Sequence, residues 1–356
     1  MEGKLDVHSD NEGEDRTTAI RTPVKLGPST SVVFIEAKAL ARSRVTLTYS
    51  LSVSYTDVGF GCMLRSLQML LAHSLRLACV EEDNEAWVHL FSDDAFDKVA
   101  EMLRAKPGYA EMIGHFSDAD GGMFSLPQLV KVGMKFGIHS WSWYSPRLAC
   151  LIAAEIMNSR DDGDLIIHVV TDRIVFQLEI ETLFKGRGHG VLLLVPARLG
   201  TEQIEHHLKA QLIKWLRDPH CVGLIGGPGS RGLYSFATTE DDTLLYLDPH
   251  TTIRVGDVGD SSYDDCIRHC HSADNLGEMT VDELNPECAL GFLFRNKEVF
   301  RRWAMANRVD ALVESSRSEM VITVLPGFPS KLDLRSRSPS DEGAEGEDEE
   351  DGWKVL

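Results

Sequence analysis

Three side chains in this sequence could together carry out nucleophilic hydrolysis: the Cys62 thiol, the His250 imidazole and the Asp248 carboxylate. A thiol attacks as its thiolate, so it needs a base and surroundings that favour negative charge. Cys62 follows Gly59-Phe60-Gly61, and after it Leu64, Leu67, Leu71, Leu75 and Ala78 recur at three- and four-residue steps. That spacing predicts an amphipathic helix with Cys62 in or near its first turn. Unpaired N–H groups and the positive end of the dipole lie there and favour thiolate. Taken alone, the stretch still favours an inert buried cysteine. LLYLDPHTT, at 244–252, supplies the base. On a strand, alternate residues share one side, so Asp248 and His250 would project together and Pro249 away. The proline puts this strand at its end or at a sheet edge. An isolated Asp-x-His pair is usually a turn. Joined to a helix-start cysteine, it fills the roles of nucleophile, base and orienting carboxylate.

The elements that must hold these groups can be read in outline. VVFIE and RVTLTYS, between residues 32 and 50, are β-rich. The Cys62 helix follows, then a helical region to about residue 105 and a second helix at 125–137, with a Ser-Leu-Pro start and a glycine stop. DLIIHVV, RIVFQLEI, GVLLLVP, CVGLIGG and TLLYLD read as strands, and TEQIEHHLKAQLIKWL at 201–216 as an amphipathic helix with Thr201 as N-cap. No internal repeat is present. Helices early and strands late predict an α+β fold.

Composition narrows the function. The chain has 356 residues, 43% of them hydrophobic, enough for one large domain or a domain with a subdomain. A formal charge of −19 opposes nonspecific nucleic-acid binding, since phosphates would be repelled. Residues 1–30 read as a disordered extension. Residues 329–356 read as a disordered acidic tail, with eight carboxylates between 341 and 351. Seven scattered cysteines, a polar opening without a signal peptide and no membrane-spanning run point to free thiols in the cytoplasm.

TDVGFGCMLR at 56–65, VGLIGG at 222–227 and YLDPHTT at 246–252 occur in an order that resembles the autophagins. These are papain-like cysteine endopeptidases that mature and delipidate the ubiquitin-like autophagy modifier. LTYS at 47–50, WYSP at 143–146, GHGVLLLVPARLG at 188–200 and GEMTVDELNPECALGFLF at 277–294 match more loosely, so the resemblance spans about 44–303. It implies a papain-like peptidase domain over 31–328 with a small inserted subdomain around 158–188. It also implies Cys62 as nucleophile, His250 as general base and Asp248 as the group that fixes the imidazole. Tyr49 falls where the family has a tyrosine that helps bind the oxyanion. Trp143 matches an indole that packs over the substrate's terminal glycine. Gly226, Gly227, Pro228, Gly229 and Ser230 match a mobile loop that closes the cleft with it. Phe60 stands where the family usually has tryptophan, which implies altered packing with an aromatic wedge retained. The interval from Tyr49 to Cys62 is shorter than the family's.

The implied partner is the ubiquitin-like autophagy modifier, as free precursor and lipid-conjugated, with membranes met only through the lipidated substrate. No metal or organic cofactor is implied. The terminal Trp353-Lys-Val-Leu356 follows the acidic run and resembles modifier-interacting motifs, in which the first and fourth side chains fill pockets beside an added strand. Other motifs carry less. Cys266, Cys270 and His271 form one cluster without a matching pair, so a surface loop is the better reading than zinc. His206 and His207 fit a solvated helix face, and Trp87–Leu90 a packed helix. The glycines at 226–232 lack the Lys-Ser/Thr of a phosphate loop. Two rival functions stay open: a noncatalytic modifier-binding protein on this fold, and a deubiquitinase.

Overall fold

The computed structural model describes residues 57, 59–79, 109–116, 122–139, 142–160, 165–184, 190–250, 277–309 and 319–329. Its first half is helical: α1 (Cys62–Cys79), α2 (Tyr109–Gly114), α3 (Leu126–Lys135) and α4 (Pro146–Asn158). Then come β1 (Ile166–Val169), β2 (Ile174–Phe176), α5 (Gln177–Leu183), β3 (Val191–Arg198) and α6 (His206–Leu216). The chain continues through β4 (Cys221–Gly226), β5 (Leu233–Thr238), β6 (Leu244–Leu247), β7 (Gly277–Met279) and β8 (Glu287–Phe294). It closes with α7 (Lys297–Asn307) and β9 (Thr323–Leu325).

Seven of these strands form one sheet in the order β1-β3-β8-β4-β5-β6-β7, antiparallel except for the parallel β1–β3 pair. Both faces of the sheet are covered, which explains the unbroken apolar run of β3. Leu192 and Leu194 pack toward α1, α3 and α4, whereas Val191, Leu193 and Val195 pack toward α6 and α7. This arrangement is a papain-like α+β fold. Of the stretch 158–188, β1 joins the main sheet, while β2 pairs with β9 and α5 packs on α7.

Helix α1 lies against β4 and β5 and next to α4. The spacing predicted one buried face, but burial is almost all round: Met63, Met69 and Leu70 are as buried as Leu64, Leu67 and Leu71, and so are Arg65, Gln68, His73 and Arg76. Its polar groups are therefore met inside the protein. Arg65 donates to Asp57 and Gln68, Gln68 donates to the Phe124 carbonyl at 2.6 Å, and His73 Nδ1 lies 2.8 Å from the Tyr234 hydroxyl.

Other expectations change. RIVFQLEI is a strand only to Phe176 and then turns into α5. Its period-two apolar pattern suits a strand, but Leu178 is exposed while Gln177 and Glu181 point inward and bond to each other. Thr201 does not cap α6. The Glu205 N–H donates to the Leu199 carbonyl and closes a loop, so the helix begins five residues later, at His206. His206 and His207 are exposed on it. Helices α4 and α7 and strands β5 and β8 were not distinguished from the sequence pattern. The stretch at 32–50 and Trp87–Leu90 lie outside the described residues.

Candidate active site

Cys62 is placed by the turn before it. The Asp57 carbonyl accepts from the N–H groups of Phe60 (3.3 Å) and Gly61 (2.9 Å), and Gly59 takes a φ of +96°, which its lack of a Cβ permits. The Asp57 carboxylate then meets Arg65 Nε at 3.0 Å, one turn into α1, and ties the turn to the helix. Cys62 is the first helical residue and is partly exposed.

Asp248 and His250 stand just beyond β6 and not on it, so the expected strand alternation is not what aligns them. The cause is a local side-chain-to-backbone turn. Asp248 Oδ1 accepts from the His250 backbone N–H at 2.9 Å and is 2.6 Å from His250 Nδ1. One carboxylate oxygen thus fixes both the turn and the ring. With Nδ1 so engaged, Nε2 is the nitrogen left to act on a reacting group.

The imidazole reaches Cys62, and each group changes the other's ionisation. The hydrogen bond to Asp248, followed by that to Cys62, lifts His250 to about 9 against the opposing effect of burial. For Cys62 burial is the largest single influence and acts upward. The hydrogen bond and charge of His250, with the Gly232 and Met63 amides, outweigh it and lower the thiol below its ordinary value. Burial also pushes Asp248 up, but the His250 ring and backbone bonds and the charges of His250 and Arg231 bring its carboxyl down. The other described thiols go the opposite way: burial raises Cys150 strongly and lifts Cys221 and Cys288 to about 12. Among these four thiols, Cys62 is the one whose surroundings favour the anion.

The loop from β4 to β5 lines this site. Trp143, 38% exposed, donates its indole N–H to the Ser230 carbonyl at 3.0 Å. Trp143 and the loop of Gly226, Gly227, Pro228, Gly229 and Ser230 therefore come together. Asn285 steadies the loop from behind, with its backbone N–H on the Gly227 carbonyl (3.0 Å) and its amide on the Gly229 carbonyl (2.8 Å).

Two residues of this neighbourhood escaped the sequence reading. Gly232 donates its N–H to Cys62 Sγ at 3.3 Å. Arg231 Nη2 lies 2.6 Å from Asp248 Oδ2. The glycine run at 226–232 was the available signal, but it says nothing of which partner the backbone approaches. Tyr49, Trp353, Leu356 and the Cys266–His271 loop lie outside the described residues. Among those described, no three His, Cys, Asp or Glu side chains are grouped to hold a metal ion. No described helix is long and apolar enough to cross a membrane.

The arrangement can therefore pair a thiol whose ionisation is favoured with an imidazole held by a carboxylate, beside a loop that binds Trp143. The peptidase C54 catalytic domain matches residues 34–306. Cysteine protease ATG4D of Xenopus laevis is 30% identical over 329 residues, which cover 78% of this chain and 68% of its own. Cysteine protease ATG4C of Mus musculus is 27% identical over 88% of this chain and 80% of its own. Cysteine protease ATG4a of Arabidopsis thaliana is 27% identical over 98% and 74%, respectively. The matched domain takes in the whole of the Cys62–His250 cluster, and the chain belongs to the peptidase C54, or autophagin, family of cysteine peptidases.

Proposed function

We propose that the protein is an endopeptidase that cuts after the C-terminal glycine of a ubiquitin-like autophagy modifier. It matures the precursor, and it releases the modifier from phosphatidylethanolamine. The observation that carries this reading is the exposed Trp143 indole bonded to the Ser230 carbonyl at the rim of the Cys62 site. A bare backbone can thread beneath an indole where a Cβ would clash, which suits a C-terminal glycine.

The chemistry follows from the charges. Cys62 thiolate attacks the glycine carbonyl carbon, and the oxygen becomes an oxyanion near the head of α1, where the helix end favours negative charge. Tyr49 would add a hydroxyl donor there. His250 imidazolium gives its proton to the departing amine, the C–N bond breaks, and a thioester remains. Neutral His250 then takes a proton from water, whose oxygen attacks the thioester and restores Cys62. Asp248 keeps the ring oriented throughout. The departing amine is a peptide N-terminus in maturation and the ethanolamine headgroup in delipidation. These steps require no metal or organic cofactor.

The peptidase unit would span about 31–328 in the cytoplasm, with Trp353 and Leu356 on the acidic tail docking the modifier a second time. The experiment is incubation of the purified protein with tagged modifier precursor, with lipidated modifier on vesicles and with a ubiquitin fusion. Cleavage of the first two after glycine, lost in Cys62→Ala, supports the reading. Binding without cleavage would make the protein a noncatalytic modifier binder. Cleavage of the ubiquitin fusion alone would make it a deubiquitinase.

A further inference from the structure

Three consecutive residues of the β4–β5 loop touch three different parts of the site. The Ser230 carbonyl accepts from Trp143, the Arg231 side chain binds Asp248, and the Gly232 N–H reaches Cys62. Asp248 divides its two oxygens between partners. Oδ1 serves the ring and backbone of His250, and Oδ2 faces Arg231 Nη2 at 2.6 Å. The guanidinium therefore shares the carboxylate that orients the imidazole.

We propose that Arg231 is a positioning residue of the active site, which holds the Asp248 carboxylate from the loop that also carries the Trp143–Ser230 contact and so sets the charge and orientation of the Asp248–His250 pair. This rests on the reading of Cys62, Asp248 and His250 as the catalytic groups.

The Arg231–Asp248 pair is half-exposed on the arginine side, with side-chain exposures of 49% and 25%. Ion pairs of that kind contribute little to fold stability. Their effect on a neighbouring titration is larger, because the groups lie within a few ångströms of one another. Among the described residues, the charged groups around the imidazole are Asp248 on its own turn, Cys62 at the head of α1 and Arg231 from the loop. The Asp57–Arg65 pair sits behind Cys62. Arg231 shares the carboxylate with His250 and draws off part of its negative field, so it holds the imidazole less basic than Asp248 and Cys62 alone would.

The test compares wild type, Arg231→Lys and Arg231→Ala by two readouts against pH: iodoacetamide alkylation of Cys62 and kcat/KM on modifier precursor. Alkylation needs no substrate, so it reads Arg231 even if the proposed substrate is wrong. The Cys62→Ala control shows whether the triad reading itself fails. In Arg231→Ala the alkaline limb should move up by about half a unit or more, with kcat several-fold lower and an unchanged thermal midpoint. Arg231→Lys, which keeps the charge, should retain the wild-type limb and recover part of kcat. An alkaline limb in Arg231→Ala that superimposes on wild type or moves down would overturn the proposal. So would a shift of equal size in Arg231→Lys.

Discussion

Gly232 lies so close to Cys62 that a Cβ on it would stand 2.7 Å from the Cys62 carbonyl carbon and 2.6 Å from the Met63 nitrogen. Both contacts are with backbone at the head of α1, which cannot yield as the end of a flexible side chain can. The same approach brings the Gly232 N–H to the sulfur. Gly232→Ala should therefore push the β4–β5 loop off the helix and remove a donor from the thiolate. We expect a loss of about 10²-fold in kcat/KM with the fold retained, since small displacements of reacting groups have costs of that order. Circular dichroism with single-turnover cleavage checks it. A Gly232→Ala enzyme of wild-type activity would show that the loop yields freely.

Alkylation should separate the thiols. Cys62 is lowered by His250 and two amides, whereas burial raises Cys150, Cys221 and Cys288. Brief iodoacetamide treatment at pH 7, read by peptide mass mapping, should label Cys62 well ahead of those three. His250→Ala should slow that labelling at least about tenfold, because it removes the bond and charge that favour thiolate. Asp248→Ala should lower kcat by about 10²–10⁴-fold through loss of ring orientation.

Much of this site is legible in the sequence for a local reason. Apolar steps after Cys62 fix the helix, and the Asp-x-His pair lies within one turn, so neighbouring residues announce each other. Gly232 and Arg231 give no such sign. The hydrogen bond from Gly232 to Cys62 spans 170 positions of sequence, and only the packing of β5 on α1 brings them together. The all-round burial of α1 is hidden for a related reason. Arg65, Gln68 and His73 are polar in the sequence, and their burial shows only once their partners are seen, Asp57 in the preceding turn and Phe124 and Tyr234 from elsewhere in the fold. In RIVFQLEI the alternation is real, yet the local Gln177–Glu181 bond and the ion pair of Glu181 with Arg301 favour a helix there.

Two histidines should give the protein opposite responses to pH. His250 is raised to about 9, so its partners stabilise the folded state fully below the unfolded value of about 6.5. That contribution fades as pH rises through 9. Activity should fall on the same limb, because deprotonated His250 cannot protonate the leaving amine. His73 is buried in α1 and lowered to about 3, chiefly by burial and then by the charge of Arg76. Below about 6.5 the unfolded chain binds a proton that folded His73 refuses, so stability declines as pH falls from 6.5 toward 3. Thermal melts between about pH 6.5 and 5.5 should show this decline above the range where carboxylates titrate. His73→Phe should flatten the slope even as it costs stability by removing the contacts of the His73 ring with the Val222 carbonyl and the Tyr234 hydroxyl, which stay bonded to each other. An unchanged slope would assign the decline to other groups.

Trp143 should choose the residue at the cut. Its indole is held at the rim by the Ser230 carbonyl, and Asn285 restrains the loop behind that carbonyl through Gly227 and Gly229. The ring therefore cannot swing away from the loop without breaking its bond to Ser230, nor the loop retreat without breaking those to Asn285. A glycine in the substrate presents only backbone there. Exchanging that glycine for alanine adds a methyl group under the indole, and cleavage should slow by about 10-fold to 100-fold, expressed in kcat as well as KM. Trp143→Ala removes the ring from an exposed position, so the thermal midpoint should hardly change while turnover falls. The informative measurement is the cross of the two changes. If the indole is the gate, Trp143→Ala should be slower than wild type on the glycine substrate, yet discriminate less between glycine and alanine. Equal discrimination by both enzymes would place the selectivity elsewhere in the cleft, and the Trp143–Ser230 bond would then be only a support for the loop.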